Sequence, residues 1–180
     1  MKIGIIREGK VPPDSRVLFT PSQCLELQEK YELKNVVVVL GDVRNQARME
    51  NLFNRFSPEV IYHAAAYKHV PCMEDNPSEA VMVNIKGTKI IADLALKYKV
   101  RDFVFVSTDK AVNPTNVMGA SKRIAEIYVQ SLSNSQKDTN FITTRFGNVL
   151  GSNGSVILRF KEQIDKGGPV TVTDPEVSRY

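Results

Sequence analysis

The sequence is poor in cysteine and histidine, and this limits the metal and redox chemistry open to it. Its two cysteines, Cys24 and Cys72, form no CxxC pair, and neither has a histidine at the spacing of metal ligands. Isolated cysteines of this kind are most simply free thiols in a reducing compartment. We therefore predict no disulfide, no metal site and a cytoplasmic location.

Long apolar runs and charge runs of one sign are also absent. The opening apolar stretch, Ile3 to Ile6, is too short for a signal peptide, and charge and two prolines follow it. No apolar run approaches the roughly 20 residues that a membrane-spanning helix needs. The 24 Lys and Arg residues are scattered among 20 Asp and Glu residues, so the net charge of +4 forms no basic run. We predict neither a membrane span nor nucleic acid as a partner.

Runs of β-branched residues are frequent, and helical patterns fill nearly every gap between them. This alternation predicts an α/β fold, a doubly wound parallel sheet of the Rossmann type. The length of 180 residues and the hydrophobic content of 42% fit a single core. The strand-like runs are KIGII, NVVVVL, EVIYHA, DFVFVS and NFITTRF, with a further run, PVTVT, at residues 169–173.

The clearest helical spacing covers residues 77–98. Apolar side chains recur there three and four residues apart, and Gly87 on the same stripe would permit close packing. Further helices are predicted near residues 22–31, over 116–132 after the turn-like NPTN, and over 155–166, where the following GGP stops the helix.

A glycine-rich turn after the first strand is missing. Dinucleotide-binding folds place a GxGxxG-type turn there, so that backbone N–H groups and a helix N-terminus hold the pyrophosphate. This chain instead has REGKVPPDSR, in which Pro12 and Pro13 offer no N–H group. The chain also stops at Tyr180, just after PVTVT. We therefore expect a truncated fold that lacks the usual first βαβ unit and the C-terminal part, with weak or absent dinucleotide binding.

Five motifs follow one another in a fixed order: GDVRN at 41–45, HAAAYKHVP at 63–71, NPSEAVMVNIKGT at 76–88, STDKAVNPTNVMGASKR at 107–123 and RFGNVLGSNGSV at 145–156. With these motifs the chain, from about residue 33 to 180, resembles the extended short-chain dehydrogenase/reductase family. Within that family it resembles the UDP-N-acetylglucosamine 4,6-dehydratases of polysaccharide synthesis. Residues 1–31 instead resemble the amino-terminal segment of alanine and saccharopine dehydrogenases. We therefore expect a segment of different origin at 1–31 and a dehydratase-like domain at 32–180.

The resemblance implies a bound NAD or NADP, with NAD favoured, and residues that would contact it. Asp42 would face the adenine, with simple helix capping as the alternative. Three small alanines would let the backbone pass close to the ribose, with tight packing as the alternative. Lys122 would donate a hydrogen bond to the cofactor ribose. The full set is Asp42, Val43, Ala64, Ala65, Ala66, Asn84, Ser107 and Lys122.

The implied substrate is a UDP-sugar. Lys68 would contact the sugar or its phosphates, with a solvated lysine as the alternative, and Asn148 would help to hold the nucleotide sugar. The GSNGS loop would face the diphosphate, or would serve only as a turn and helix cap. We interpret His63 as a core histidine and expect neither it nor His69 to act as a catalyst. The implied substrate contacts are Lys68, Met118, Asn148 and Ser155.

Thr108, Asp109 and Lys110 leave the carboxyl end of a predicted strand together, which is where ligands bind in open α/β sheets. The implied reaction oxidises the sugar at C4, removes water across C5 and C6, and returns the hydride to C6. We predict Lys110 as the base at C5 and Asp109 as the acid at the C6 hydroxyl, which requires a raised pKa. Thr108 would orient the C4 hydroxyl, because Met118 stands where short-chain dehydrogenases have a tyrosine. Lys122 completes the implied catalytic set.

Two other functions stay open. A catalytically silent α/β module, from recombination or truncation, is favoured by the missing glycine turn. A protein related to amino-acid dehydrogenases is suggested by residues 1–31 alone. The resemblance is compatible with a homo-oligomer, and whether this chain is an active enzyme is left open by the sequence.

Overall fold

The computed structural model describes residues 2–7, 35–147, 149, 156–172 and 176. The chain divides into two compact units, residues 1–145 and 146–180. All the predicted catalytic residues lie in the first unit, so the site can be built from that unit alone.

Every strand of the described residues is paired in parallel, which confirms the predicted α/β class. β1 pairs with β2, with Ile3 opposite Val36. A second group has the order β3-β4-β5, with Tyr62 opposite Val104 and Val104 opposite Ile142. The strands are β1 Lys2–Arg7, β2 Asn35–Leu40, β3 Val60–His63, β4 Asp102–Val106 and β5 Asn140–Thr144.

Helices follow β2, β3 and β4, as the alternating pattern predicts, while the helix predicted near residues 22–31 lies outside the described residues. They are α1 Gln46–Phe56, α2 Val70–Asp75, α3 Pro77–Ala80, a π-helical segment Val81–Gly87, α4 Thr88–Lys97, a 3₁₀ turn Asp109–Ala111 and α5 Val117–Ser135. Parallel strands need such crossover connections, so all the carboxyl ends of β3, β4 and β5 meet at one edge of their sheet.

The helix predicted over residues 77–98 forms as three consecutive segments with a π-helical centre. Gly87 lies at the end of that centre, and a β-carbon there would stand 2.7 Å from Cγ2 of Val43. The absence of a side chain therefore lets the helix approach the residues after β2, and the predicted close packing at Gly87 is confirmed. Wider π-helical turns often mark functional sites, because they redirect side chains.

The core of the first unit is centred on β4, whose Phe103 and Phe105 are fully buried. His63 packs between these rings, and its Nε2 lies 2.9 Å from Oγ1 of Thr88. Burial, with the nearby charge of Lys122, lowers the pKa of His63 to about 3. His63 is therefore a neutral core histidine, as predicted.

The second unit contains α6 Val156–Asp165, close to the predicted helix. Gly167 and Gly168 follow it with φ values of 91° and 77°, a conformation that glycine adopts readily and that ends the helix. The strand predicted at 169–173 is wrong for residues 169–172, which are irregular. The amide of Thr171 donates instead to the side chain of Gln163 on α6 at 3.1 Å.

No helix in the described part of the chain combines the length and apolarity needed to cross a membrane.

Candidate active site

The turn that follows β4 brings the predicted acid, base and hydroxyl together. Thr108 caps the 3₁₀ turn, and its hydroxyl donates to Oδ1 of Asp109 at 2.8 Å. The ammonium and the backbone amide of Lys110 donate to the same oxygen at 3.1 and 2.9 Å. One carboxylate oxygen therefore receives three donors from two neighbouring residues.

The surroundings of Asp109 differ from those that the acid role requires. Its side chain is 53% exposed. Partial desolvation raises the pKa of Asp109, but hydrogen bonds from Thr108 and Lys110 outweigh it and hold the pKa below its ordinary value. The pKa of Asp109 therefore lies below its ordinary value and not above it, because the carboxylate is neither covered nor short of donors.

Lys122 lies on α5, next to the turn that follows β4, and is almost fully buried. Its Nζ donates to the carbonyl of Val106 at 2.8 Å and stands 4.3 Å from the ring centre of Phe105. Burial lowers the pKa of Lys122 to about 8, against the opposing attraction of Glu126. The ammonium thus lies at the carboxyl end of β4, beside the turn that carries the other catalytic candidates.

Glu126, one helical turn beyond Lys122, is a site residue that the motifs did not single out. It is 3% exposed, and its carboxylate accepts bonds from Arg145 at 2.8 and 2.6 Å and from Arg123 at 3.1 Å. Burial acts to raise the pKa of Glu126, yet Arg145, followed by Ser107 and Arg123, lowers it to about 2. The signal in the sequence is the helical spacing of Glu126 from Lys122 along one buried stripe.

Asn84 occupies the π-helical centre and is fully buried. Its side chain accepts from the amide of Tyr67 at 2.8 Å and donates to the carbonyl of Tyr67 at 3.0 Å and to Oγ of Ser121 at 2.9 Å. These contacts join the segment after β3 to α5. The Asn84 side chain therefore braces these two elements, and its contact with a cofactor stays a prediction.

Met118 is 3% exposed and packs in a small cluster with Met73 and Ala80. These apolar neighbours cover the thioether, and contact of Met118 with substrate stays a prediction. Next to it, Gly119 donates its amide to Oδ1 of Asn116 at 2.8 Å, which caps α5. A β-carbon on Gly119 would lie 2.2 Å from the carbonyl oxygen of Lys110.

The residues after β2 form a small ionic cluster. Arg44 donates to both carboxylate oxygens of Asp42, at 2.7 Å for the shortest contact, and also to Glu79 at 2.9 Å. The helix cap is Asn45 in place of Asp42, so the capping alternative for Asp42 is wrong. Val43 is buried against Gly87, which leaves its backbone as the part that could meet a ligand.

The remaining predicted residues fall into three groups. Ala64, Ala65 and Ala66 are half-buried in the irregular segment after β3, and Lys68 is exposed just beyond them. Ser107 is buried, and its amide donates to the carbonyl of Thr144 at 2.7 Å. The two other substrate contacts, Asn148 and Ser155, lie outside the described residues.

The donor set at this edge fits the nicotinamide-ribose end of a dinucleotide. Lys122 has three N–H donors, and one of them goes to Val106. The three small alanines after β3 are themselves half-buried. The residues where a pyrophosphate turn would be expected, after β1, lie outside the described part of the chain.

Residues 20–180 match the family model of polysaccharide biosynthesis proteins. The chain belongs to that family. Within it, CapD of Staphylococcus aureus, a capsular polysaccharide biosynthesis protein, is 58% identical over 144 residues, which are 80% of this chain and 24% of CapD. The chain therefore spans about a quarter of the length of that relative.

Solved structures agree with the fold of this polysaccharide biosynthesis family member. Pen from Bacillus thuringiensis is 36% identical with a TM-score of 0.76, covering 96% of this chain and 51% of that chain. A UDP-glucose 4-epimerase from Thermus thermophilus, solved with NAD, has the same fold at 21% identity and a TM-score of 0.69, covering 93% and 64%. The predicted short-chain dehydrogenase/reductase resemblance and Rossmann-like fold are confirmed.

Proposed function

We propose that this chain carries the catalytic core of an NAD-dependent nucleotide-sugar 4,6-dehydratase, acting on UDP-N-acetylglucosamine in polysaccharide synthesis. The observation that supports this most is the turn after β4, where the Thr108 hydroxyl and the Lys110 ammonium both bind Oδ1 of Asp109. A hydroxyl, a carboxylate and an amine within one turn are the groups that an elimination next to a ketone needs.

A bound NAD would supply the hydride-transfer chemistry at C4 and C6 of the sugar. Lys122 would hold the cofactor ribose through N–H donors beyond the one that binds Val106. Asn84 and Ser121 keep the segment after β3 against α5, which fixes one wall of the site. The Asp42 carboxylate already accepts hydrogen bonds from Arg44, so it would have to bind Arg44 and the adenine at the same time.

Proton movement would begin at the C4 hydroxyl. Thr108 orients that hydroxyl and passes its proton to Asp109, which the hydrogen bond between the two residues already connects. Lys110, after releasing one ammonium proton to water, removes the C5 proton, which the C4 ketone makes acidic. Asp109 then gives its proton to the leaving C6 hydroxyl, which departs as water, and Lys110 returns its proton to C5 when C6 is reduced.

The low pKa of Asp109 is compatible with this sequence of steps. The carboxylate starts in the ionised form that accepts a proton. A bound sugar would cover the exposed side chain, and desolvation, already the largest influence on its pKa, would then grow and raise that pKa. Substrate binding would thus make the ionised Asp109 a better acceptor for the C4 hydroxyl proton, and the proton that Asp109 gains would make it the acid at C6.

A catalytically silent module is the second candidate. It is supported by the sequence REGKVPPDSR after β1, which offers prolines in place of the glycine-rich pyrophosphate turn. The two candidates differ in whether this chain turns over sugar, and one incubation separates them.

The test is to incubate the chain with NAD⁺ and UDP-N-acetylglucosamine and to identify products by mass spectrometry and NMR. The dehydratase proposal expects a 4-keto product lighter by one water molecule, and none with Asp109→Asn. A product of unchanged mass would indicate epimerisation and overturn the dehydratase. No product at any NAD⁺ concentration would favour the silent module.

A further inference from the structure

We infer that Gly119 is a positioning residue for the Thr108–Lys110 turn, because only a residue without a β-carbon lets α5 pack against that turn. An ideal β-carbon at position 119 would stand 2.2 Å from the carbonyl oxygen of Lys110 and 3.1 Å from its carbonyl carbon. Ordinary van der Waals contact begins at 3.4 Å. The inference rests on the proposed function for its catalytic consequence, but not for its geometry.

The obstacle is backbone, so it cannot be relieved by a side-chain rotation. The Lys110 carbonyl belongs to a turn in which Ala111 donates to Thr108 at 3.2 Å and Val112 donates to Asp109 at 3.0 Å. Because these bonds join the residues before Lys110 to those after it, the Lys110 carbonyl cannot move without moving the rest of the turn. A β-carbon at 119 would therefore displace the turn that carries all three candidate groups.

The helix side of the contact is also held in place. Asn116 caps α5 by accepting from the Gly119 amide, and the Val117 amide donates to Glu74 on α2 at 2.7 Å. One turn further on, Lys122 is bound to the carbonyl of Val106. Because α5 is anchored on both sides of Gly119, the strain would separate the turn from Lys122 by roughly 1 Å, a displacement that can cost on the order of 100-fold in rate.

The direction of the stability change in Gly119→Ala distinguishes a steric clash at position 119 from the ordinary effect of glycine on helix stability. Gly119 lies within the first turn of α5, in Val117–Ser135. Glycine to alanine inside an unconstrained helix usually raises the ratio of folded to unfolded molecules by roughly two- to fivefold. We expect Gly119→Ala to lower that ratio at least tenfold instead.

The experiment compares Gly119→Ala with Gly87→Ala in the full chain. At position 87 the nearest obstacle to a β-carbon is the side chain of Val43, at 2.7 Å, so this variant is strained without touching the catalytic turn. Urea unfolding measures the stability of both. A ¹³C NMR titration of the Asp109 carboxyl reports whether the hydrogen bonds of the turn are intact. The pKa of Asp109 should move towards the ordinary value of an aspartate in Gly119→Ala only.

Each outcome decides the inference. Stability that is unchanged or raised in Gly119→Ala, or an unchanged Asp109 titration, would overturn it. If that variant does not fold, Asn116→Ala removes the cap of the same helix end without adding bulk, and an unchanged Asp109 titration there would overturn it equally. Where the wild-type chain turns over sugar, kcat should fall at least tenfold in Gly119→Ala with KM within about twofold. A wild type without turnover contradicts the proposed function and leaves the two structural measurements as the test of Gly119.

Discussion

Replacing Glu126 by glutamine is the sharpest test of the ionic contact between α5 and the end of β5. The carboxylate of Glu126 is 3% exposed and accepts hydrogen bonds from Arg145 and Arg123. The amide of glutamine has almost the same shape and can still accept one guanidinium donor through its oxygen. The substitution therefore removes the charge with little change in packing.

The lowered pKa of Glu126 sets the size of the effect. A fall from 4.5 to about 2 corresponds to an upper limit of about 3 kcal/mol, because a tenfold change in proton affinity is worth about 1.4 kcal/mol. Arg145 and Arg123 are 40% and 42% exposed, so water screens their attraction. We expect Glu126→Gln to lower the free energy of unfolding by about 2 kcal/mol at pH 7.

The pH dependence of that loss identifies its cause. The pKa of Glu126 is lower in the folded than in the unfolded state, so its contribution is complete above pH 4.5 and disappears as the pH falls towards 2. Urea unfolding at pH values from 2 to 7 should show the difference between wild type and variant shrinking over that window. Glu162→Gln, on the exposed surface of α6, is the matched control and should show no such trend. A constant difference at every pH, or none at pH 7, would refute the reasoning.

Four further predictions address the site and its cofactor. The charged form of buried Lys122 opposes folding, so wild-type stability should rise between pH 8 and 10.5 and should stay flat over that range in Lys122→Met; equal slopes in the two proteins would contradict this. Calorimetry should find NAD⁺ binding to this chain weaker than micromolar, because prolines stand where the pyrophosphate turn is expected; micromolar or tighter affinity would show that the cradle is intact. With a glycine-rich first unit grafted onto the chain, Asp109→Asn should slow turnover by roughly 10²- to 10⁴-fold. Met118→Tyr should give little gain in that background, because the methionine is packed away from solvent; a comparable acceleration by the phenol would refute the proton path through Thr108.

The parallel strands and the helices of the described residues follow from short-range patterns in the sequence. Runs of β-branched residues predict β2 to β5. Apolar residues three and four positions apart predict the helix that contains Gly87. The grouping of Thr108, Asp109 and Lys110 was also predictable, because residues that follow a parallel strand emerge at one edge of the sheet. These features depend on near neighbours in the chain.

The features that the sequence did not predict depend on distant partners. Met118 is covered by Met73 and Ala80, and no local pattern indicates that contact. Arg145 lies 19 residues from Glu126, and the ion pair forms only because α5 packs beside β5. The strand-like residues 169–172 are irregular, and Thr171 bonds instead to the side chain of Gln163, eight residues earlier in the chain.

The pKa of Asp109 could not be derived from the motif either. Its direction is set by the balance between desolvation and the donors from Thr108 and Lys110, and that balance depends on the exposure of the folded turn. The sequence supplied the residue types, while the fold determined which of the two influences is larger.

We propose that the turn after β4 removes a proton from C5 of a nucleotide sugar, with Lys110 as the base. The most direct measurement is deuterium incorporation at C5 in D₂O, followed by NMR with UDP-N-acetylglucosamine and NAD⁺, in wild type and in Lys110→Met. We expect deuterium incorporation at C5 with the wild type and its loss with Lys110→Met. The reduction of NAD⁺, followed by absorbance, should be much less affected by that substitution. Undiminished incorporation in Lys110→Met, or none in a wild type that reduces NAD⁺, would contradict it.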